Sequence, residues 1–204
     1  MTAAAVLGVL AGIVSVLDGI PYIRDTLRGI TRPHRGTWLI WSSLALVALA
    51  SQWADGAGWS LVMVAVQAAL TMTVFGLSVT RGEGGLSRPE LVMLAIAASG
   101  LVGWFSSDNP TVATSCVVAA DAVGAALMIP KTWRDPGSET LIAFVWAAVA
   151  GALSSLAVAS PDVSLLIYPV YFALANGAIG VIIVVRRRQL DRVLPNHPSS
   201  GRAG

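Results

Sequence analysis

The chain has 204 residues, of which 55% are hydrophobic and only 12% charged, with a formal net charge of +2. So few charged groups cannot cover a soluble globule of this size, which leaves an integral membrane protein. The basic excess does not point to nucleic acid either, because the Lys and Arg residues fall in separate short segments rather than on one face of a soluble domain.

Apolar stretches long enough to cross a bilayer fall at 3 to 24, 37 to 54, 59 to 79, 89 to 107, 110 to 130, 139 to 159 and 163 to 185. Backbone polar groups in hydrocarbon must bond within their own segment, so these seven runs are read as helices and the fold class as all-α. The first run is not a cleavable signal: no basic residue precedes it, and it leads straight into Pro21 and a charged loop.

Basic residues set the orientation. Arg24, Arg28, Arg32 and Arg35 follow the first span, Arg81 and Arg88 the third, Lys131 and Arg134 the fifth, and Arg186, Arg187, Arg188, Arg192 and Arg202 the seventh. The opposite turns carry only Asp55, Asp108 and Asp162. Short translocated loops are depleted in Lys and Arg, so the expected topology is multi-pass in a cell (plasma or inner) membrane, N-terminus outside and C-terminus cytoplasmic. Trp53, Trp59 and Trp104 are expected as anchors at the outer interface, Trp38 and Trp133 at the inner one.

Two segments echo each other. SVLDGIPYIRD, residues 15 to 25, and DAVGAALMIPKTWRD, residues 121 to 135, each run from an acid through Ile-Pro to a basic exit ending in Arg-Asp. Pro21 and Pro130 thus take the same position in two copies of one unit. The third span also lies over the seventh without a gap, matching Ser60 to Ser164, Ala69-Leu70 to Ala173-Leu174 and Gly76 to Gly180. Three helices before and after one unpaired helix make two parallel repeats, a 3+1+3 arrangement, because the odd linker returns the chain to its starting side. The expected units are 1 to 80, a linker helix within 81 to 109, 110 to 186, and a disordered cytoplasmic tail at 187 to 204. The tail arginines are expected to anchor the last helix at anionic headgroups. The bilayer is the first partner, and oligomeric state stays open, a homo-oligomer included.

Charged and polar residues inside these runs are the candidate functional groups. Asp121 lies near the centre of the fifth span, where an ionised carboxylate costs about 2.5–3.5 kcal/mol unless protein or water surrounds it. It is read as a solute ligand or proton acceptor, with an interhelical packing role as the alternative. Asp18 lies three residues before Pro21 whereas Asp121 lies nine before Pro130, an offset of about 9 Å along a helix. The two acids are therefore not repeat mates, and Asp18 is expected near the inner gate, either paired to Arg24 or another loop cation or else snorkelling or capping. Asn176 and Gln67 are amides within the seventh and third spans, and either can instead supply an interhelical hydrogen bond of about 1 kcal/mol. Trp41 and Trp146 lie deeper than interfacial anchors, and Tyr168 and Tyr171 flank Pro169. Pro21 and Pro130 each remove a helical hydrogen bond and are read as hinges. Cys116 is a structural thiol. His34 and His197 have no Cys or acid at ligand spacing, so no metal is expected. No nucleophile-base pair is present, and GEGG at 82 to 85 lacks the context of a phosphate loop. No enzyme activity and no cofactor are expected.

This architecture, with a proline late in the first helix of each repeat and a short basic loop after it, resembles the SWEET and PQ-loop transporter superfamily. Where that superfamily has Pro-Gln, this chain has Pro21-Tyr22 and Pro130-Lys131. The prolines that sugar SWEETs carry in the second helix of each repeat are absent from 37 to 54 and 139 to 159. The resemblance implies a solute site at mid-membrane, with an asparagine on the third helix of each repeat. Asn176 matches the second of these. The gap-free counterpart of Asn176 is Met72, so Gln67 is an approximate substitute for the first. Tryptophans near the site on the second helices match Trp41 and Trp146. The implied function is transport of a small polar solute by alternating access, sugar slightly ahead of a proton-coupled amino acid because of these tryptophans and amides. A receptor or scaffold of the same fold is the competing class, since architecture alone does not require flux.

Overall fold

The computed structural model describes residues 3–54, 60–84, 87–107, 110–157 and 163–193. Within them, seven α-helices follow one another through short connections: α1 (Ala3–Leu27), α2 (Arg35–Ala54), α3 (Ser60–Arg81), α4 (Arg88–Phe105), α5 (Pro110–Arg134), α6 (Leu141–Ala157) and α7 (Val163–Val193), with a 3-10 turn at Pro136–Ser138. No strand is present among the described residues, only an isolated bridge between His34 and Glu83. Three helical stretches, Val6–Leu27, Ser115–Arg134 and Leu166–Arg192, are long and apolar enough to cross a membrane, and Leu141–Ala157 is a shorter apolar helix. Large apolar side chains such as Val9, Ile13, Ile20, Val92, Val102, Leu156 and Val181 point outward. An apolar exterior on this scale belongs against lipid rather than water, so the protein is helical and membrane-associated.

Three ends of these helices have identifiable causes. Gly29, at φ +73, takes the left-handed conformation that stops α1, while Gly29, Ile30 and Thr31 return their N–H groups to Thr26 and Asp25 carbonyls. His34 caps α2: its Nδ1 accepts the Thr37 N–H at 3.2 Å, satisfying one of the donors a helix start leaves free. α7 runs to Val193, so residues 187 to 193 are helical where a disordered tail is expected from 187. The cause is tertiary: Arg186 donates to the Trp133 carbonyl, and Arg187 donates to the carbonyls of Pro136 and Glu139.

Helix pairs define the interior. α1 packs on α3 and α6, α2 on α3, α4 and α5, α5 on α4 and α7, and α6 on α7. The larger core cluster joins Tyr22, Trp38, Val74, Met128, Phe144, Ile179 and Ile183, so five helices and the α1 C-terminal turns share it. A smaller one, Ile40, Ala97 and Ala120, sits between α2, α4 and α5.

Close approach of α6 and α7 depends on Gly151. A Cβ there would lie 2.7 Å from the Ala173 backbone N and 2.9 Å from its Cα, and backbone cannot swing aside. Gly151→Val is therefore expected to lose about 1–3 kcal/mol by overpacking. Gly177→Ala, whose Cβ would meet only the Ala148 Cβ at 4.0 Å, is expected to unfold with the wild type. Thermal unfolding of the two purified variants checks the contrast.

Candidate functional site

Polar groups concentrate where α1, α2, α5 and α6 meet their connecting loops. α1 continues through Pro21, which places Tyr22 almost fully buried one residue beyond it. α5 likewise continues through Pro130 and buries Lys131. Both side chains reach the same group. The Tyr22 hydroxyl donates to Glu139 Oε2 at 2.9 Å, and Lys131 Nζ donates to Glu139 Oε1. Trp38 Nε1 donates to the Tyr22 oxygen at 3.2 Å, so a chain of donors ends on the carboxylate. Lys131 also donates to the carbonyls of Arg32 and Ser138, which uses all three ammonium protons. Glu139 is 1% exposed and Lys131 3%. A pair this dry persists because each carboxylate oxygen and each ammonium proton has a partner.

The loops around that pair are stitched together. The Thr31 and Thr140 hydroxyls lie 2.5 Å apart. Thr140 donates its one proton to Asp25 Oδ2 at 3.2 Å, so Thr31 is the donor between the two threonines. The Arg32 N–H donates to the Ser138 carbonyl at 2.9 Å, and the Arg32 side chain pairs with Asp135 and, at 3.6 Å, with Glu83. On the α2 and α3 side, Arg35 donates to the Ser78 carbonyl at 3.0 Å and to the Gly84 carbonyl. This end of the bundle is closed.

A second polar layer lies deeper. Asp121 is 8% exposed on α5 and accepts a hydrogen bond from the Tyr171 hydroxyl of α7 at 2.8 Å. Trp41 of α2 donates from Nε1 to the Asp121 carbonyl at 3.4 Å. Its ring lies against Gly124, where a Cβ would stand 2.8 Å from Nε1. Thr37 ties the same two helices by donating to the Gly124 carbonyl at 2.7 Å. The carboxylate and the phenol thus meet directly, while the indole is held on the Asp121 backbone, and the acid is the group here that can take a donor-bearing solute or a proton.

The remaining expected residues lie apart from that layer. Asn176 is buried on α7, donates to the Phe172 carbonyl one turn back at 2.8 Å, and lines a groove between α6 and α7 that includes neither Asp121, Trp41 nor Trp146. Trp146 is 36% exposed on α6. Asp18 is half-buried on α1, and Arg24, its expected partner, pairs with Asp25 at 3.1 Å instead. Gln67 falls on α3, with its side chain outside the described residues, as are those of Trp53, Trp59 and Trp104. Trp38, expected as an interfacial anchor, is buried against Tyr22 and Trp41, with ring centroids 4.8 and 5.2 Å away. Trp133 is exposed under the Arg186 guanidinium. Among the described residues no cluster of His, Cys, Asp and Glu could hold a metal ion.

Sequence reading passes over Glu139, whose position at the edge of an apolar run makes it look like a boundary residue. A signal was present: Tyr22 and Lys131 occupy the matched positions after the two repeat prolines, and residues of such different chemistry at matched positions invite a search for a shared partner. No protein-family model, no curated protein and no solved structure matches the chain.

Proposed function

We propose that the protein is a membrane transporter that moves a small polar solute by rocking two three-helix halves, 1 to 80 and 110 to 186, against each other, with α4 as the linker. The observation that carries this reading is the closed end. There, residues following equivalent prolines in the two halves grip one carboxylate, and polar contacts cross from half to half: Tyr22 to Glu139, Asp25 and Thr31 to Thr140, Arg32 to Asp135. Hydrogen bonds and ion pairs of this kind can be exchanged for water when an end opens, whereas dry apolar packing has no such substitute. The helix pairs support the repeat. Exchanging α1, α2 and α3 with α5, α6 and α7 turns α1 on α3 into α5 on α7, α2 on α3 into α6 on α7, and α1 on α6 into α5 on α2, all of which are pairs in the fold.

Arg32, Arg35, Arg81 and Lys131 all lie at the closed end, which supports a cytoplasmic placement of that end and an N-terminus outside. Ten residues of α5 separate Asp121 from Lys131, about 15 Å of helix. That is half of a hydrocarbon core of about 30 Å, so Asp121 lies near mid-membrane, where alternating access needs its site. Between the two solute chemistries, the bond between the Asp121 carboxyl and Tyr171 favours a proton-linked solute, since Asn176 and Trp146, which a sugar site would use, lie away from it.

Uptake into proteoliposomes with a panel of amino acids and sugars tests the proposal. Wild type is expected to move one solute class with a rate that depends on external pH. Asp121→Asn mimics the protonated acid, so it should bind solute and lose the pH dependence. Asp121→Ala removes the contact as well and is expected to weaken binding about ten- to hundredfold. No flux for any candidate would count against transport. Flux without pH dependence, unchanged in Asp121→Asn, would make Asp121 a packing residue and return the site to a sugar facilitator.

A further inference from the structure

The outward side of the α6 and α7 pair holds a groove of about 380 Å³ whose walls, Phe144, Val145, Ala148, Gly177, Val181 and Val184 among them, are apolar apart from Asn176 at its deep end. Along α7 it runs from Asn176 to Val185, about 13 Å at 1.5 Å per residue. That is close to the depth of one leaflet, half of a core of about 30 Å. It is deep because Gly177 and Gly180 add no side chain to it: the nearest atoms to a Cβ at these positions are Ala148 Cβ at 4.0 Å and Leu141 Cδ1 at 3.8 Å.

The three arginines that follow the groove on α7 point three ways. Arg186 lies over the Trp133 ring, and Arg187 is committed to the carbonyls of Pro136 and Glu139. Arg188 is exposed, as is Arg192 one turn on, and among the described residues neither side chain has a hydrogen bond or ion pair. Positions 177, 181, 184, 185, 188 and 192 recur at helical spacing and so share one face. The two guanidinium groups therefore continue the line of the groove past its shallow end, with Asp191 the acid that lies between them in sequence. We propose that the groove between α6 and α7 holds an acyl chain of an anionic phospholipid whose phosphate is bound by Arg188 and Arg192. An apolar channel one leaflet long that opens under two uncommitted cations matches the two ends of such a molecule. The inference rests on α7 crossing the bilayer and is independent of transport.

Titration of the full-length protein in detergent with palmitoyl-oleoyl phosphatidylglycerol and the matching phosphatidylcholine, read by native mass spectrometry, tests it. Wild type is expected to bind one phosphatidylglycerol about thirtyfold more tightly than phosphatidylcholine. Arg188→Gln with Arg192→Gln should bring the two lipids level, while Gly177→Leu, or Ala148→Leu should the first fail to fold, should weaken both by filling the groove. Equal binding of both lipids by wild type, a preference that survives the double arginine variant, or undiminished binding in a folded groove variant would each overturn the proposal.

Discussion

Lys131→Met is expected to destabilise the protein by about 3–5 kcal/mol, the cost of leaving a buried carboxylate without its cation. In a chain of this length that corresponds to a fall in Tm of about 6–20 °C. Glu139 has no water to turn to at 1% exposure, and its remaining side-chain partner, the Tyr22 hydroxyl, offers one hydrogen bond and no charge. The variant also strips a donor from the carbonyls of Arg32 and Ser138, so two loops lose a tie at once. Adding Glu139→Gln removes the stranded charge while keeping an acceptor for Tyr22, and it should recover at least half of the loss. The double-mutant cycle, followed by thermal unfolding in detergent, isolates the coupling between the two side chains. A single variant that melts with wild type would mean that the pair does not hold this end together.

The helices were legible because an apolar run of bilayer length admits few other structures, and all seven expected runs overlap α1 to α7. Their ends were not, because local caps and, for α7, tertiary hydrogen bonds set them. α1 continues past residue 24 to Leu27, with Thr26 Oγ1 bonded to the Tyr22 carbonyl, and α5 continues from Pro130 to Arg134. Hydropathy scores the residues that lipid touches and is blind to the arginines that extend α7 by reaching loop carbonyls. Asp121 stood out for a comparable reason, since an acid within an apolar helix needs a partner. The partner's identity, Tyr171, depended on how α5 and α7 turn toward each other. Trp41 and Trp146 illustrate the same limit: similar depth in their spans, yet one packs on Gly124 and the other faces outward. Depth is written in the sequence order, whereas the face a residue presents is decided by packing.

Cross-linking the closed end should abolish transport. The Thr31 and Thr140 hydroxyls are 2.5 Å apart across the boundary between the proposed halves, near the S–S length of about 2 Å that a disulfide needs, so these two positions are the pair to replace with cysteine. Cys116, on α5, is the chain's only native thiol, so the pair is best introduced with Cys116→Ala. In proteoliposomes loaded with Thr31→Cys/Thr140→Cys, and with the solute that the panel identifies, reduced protein is expected to transport at a rate near that of wild type. Oxidation should reduce flux more than tenfold, and reductant should restore it, because alternating access requires this end to part once per cycle. Fully cross-linked protein that transports at an undiminished rate would contradict the account.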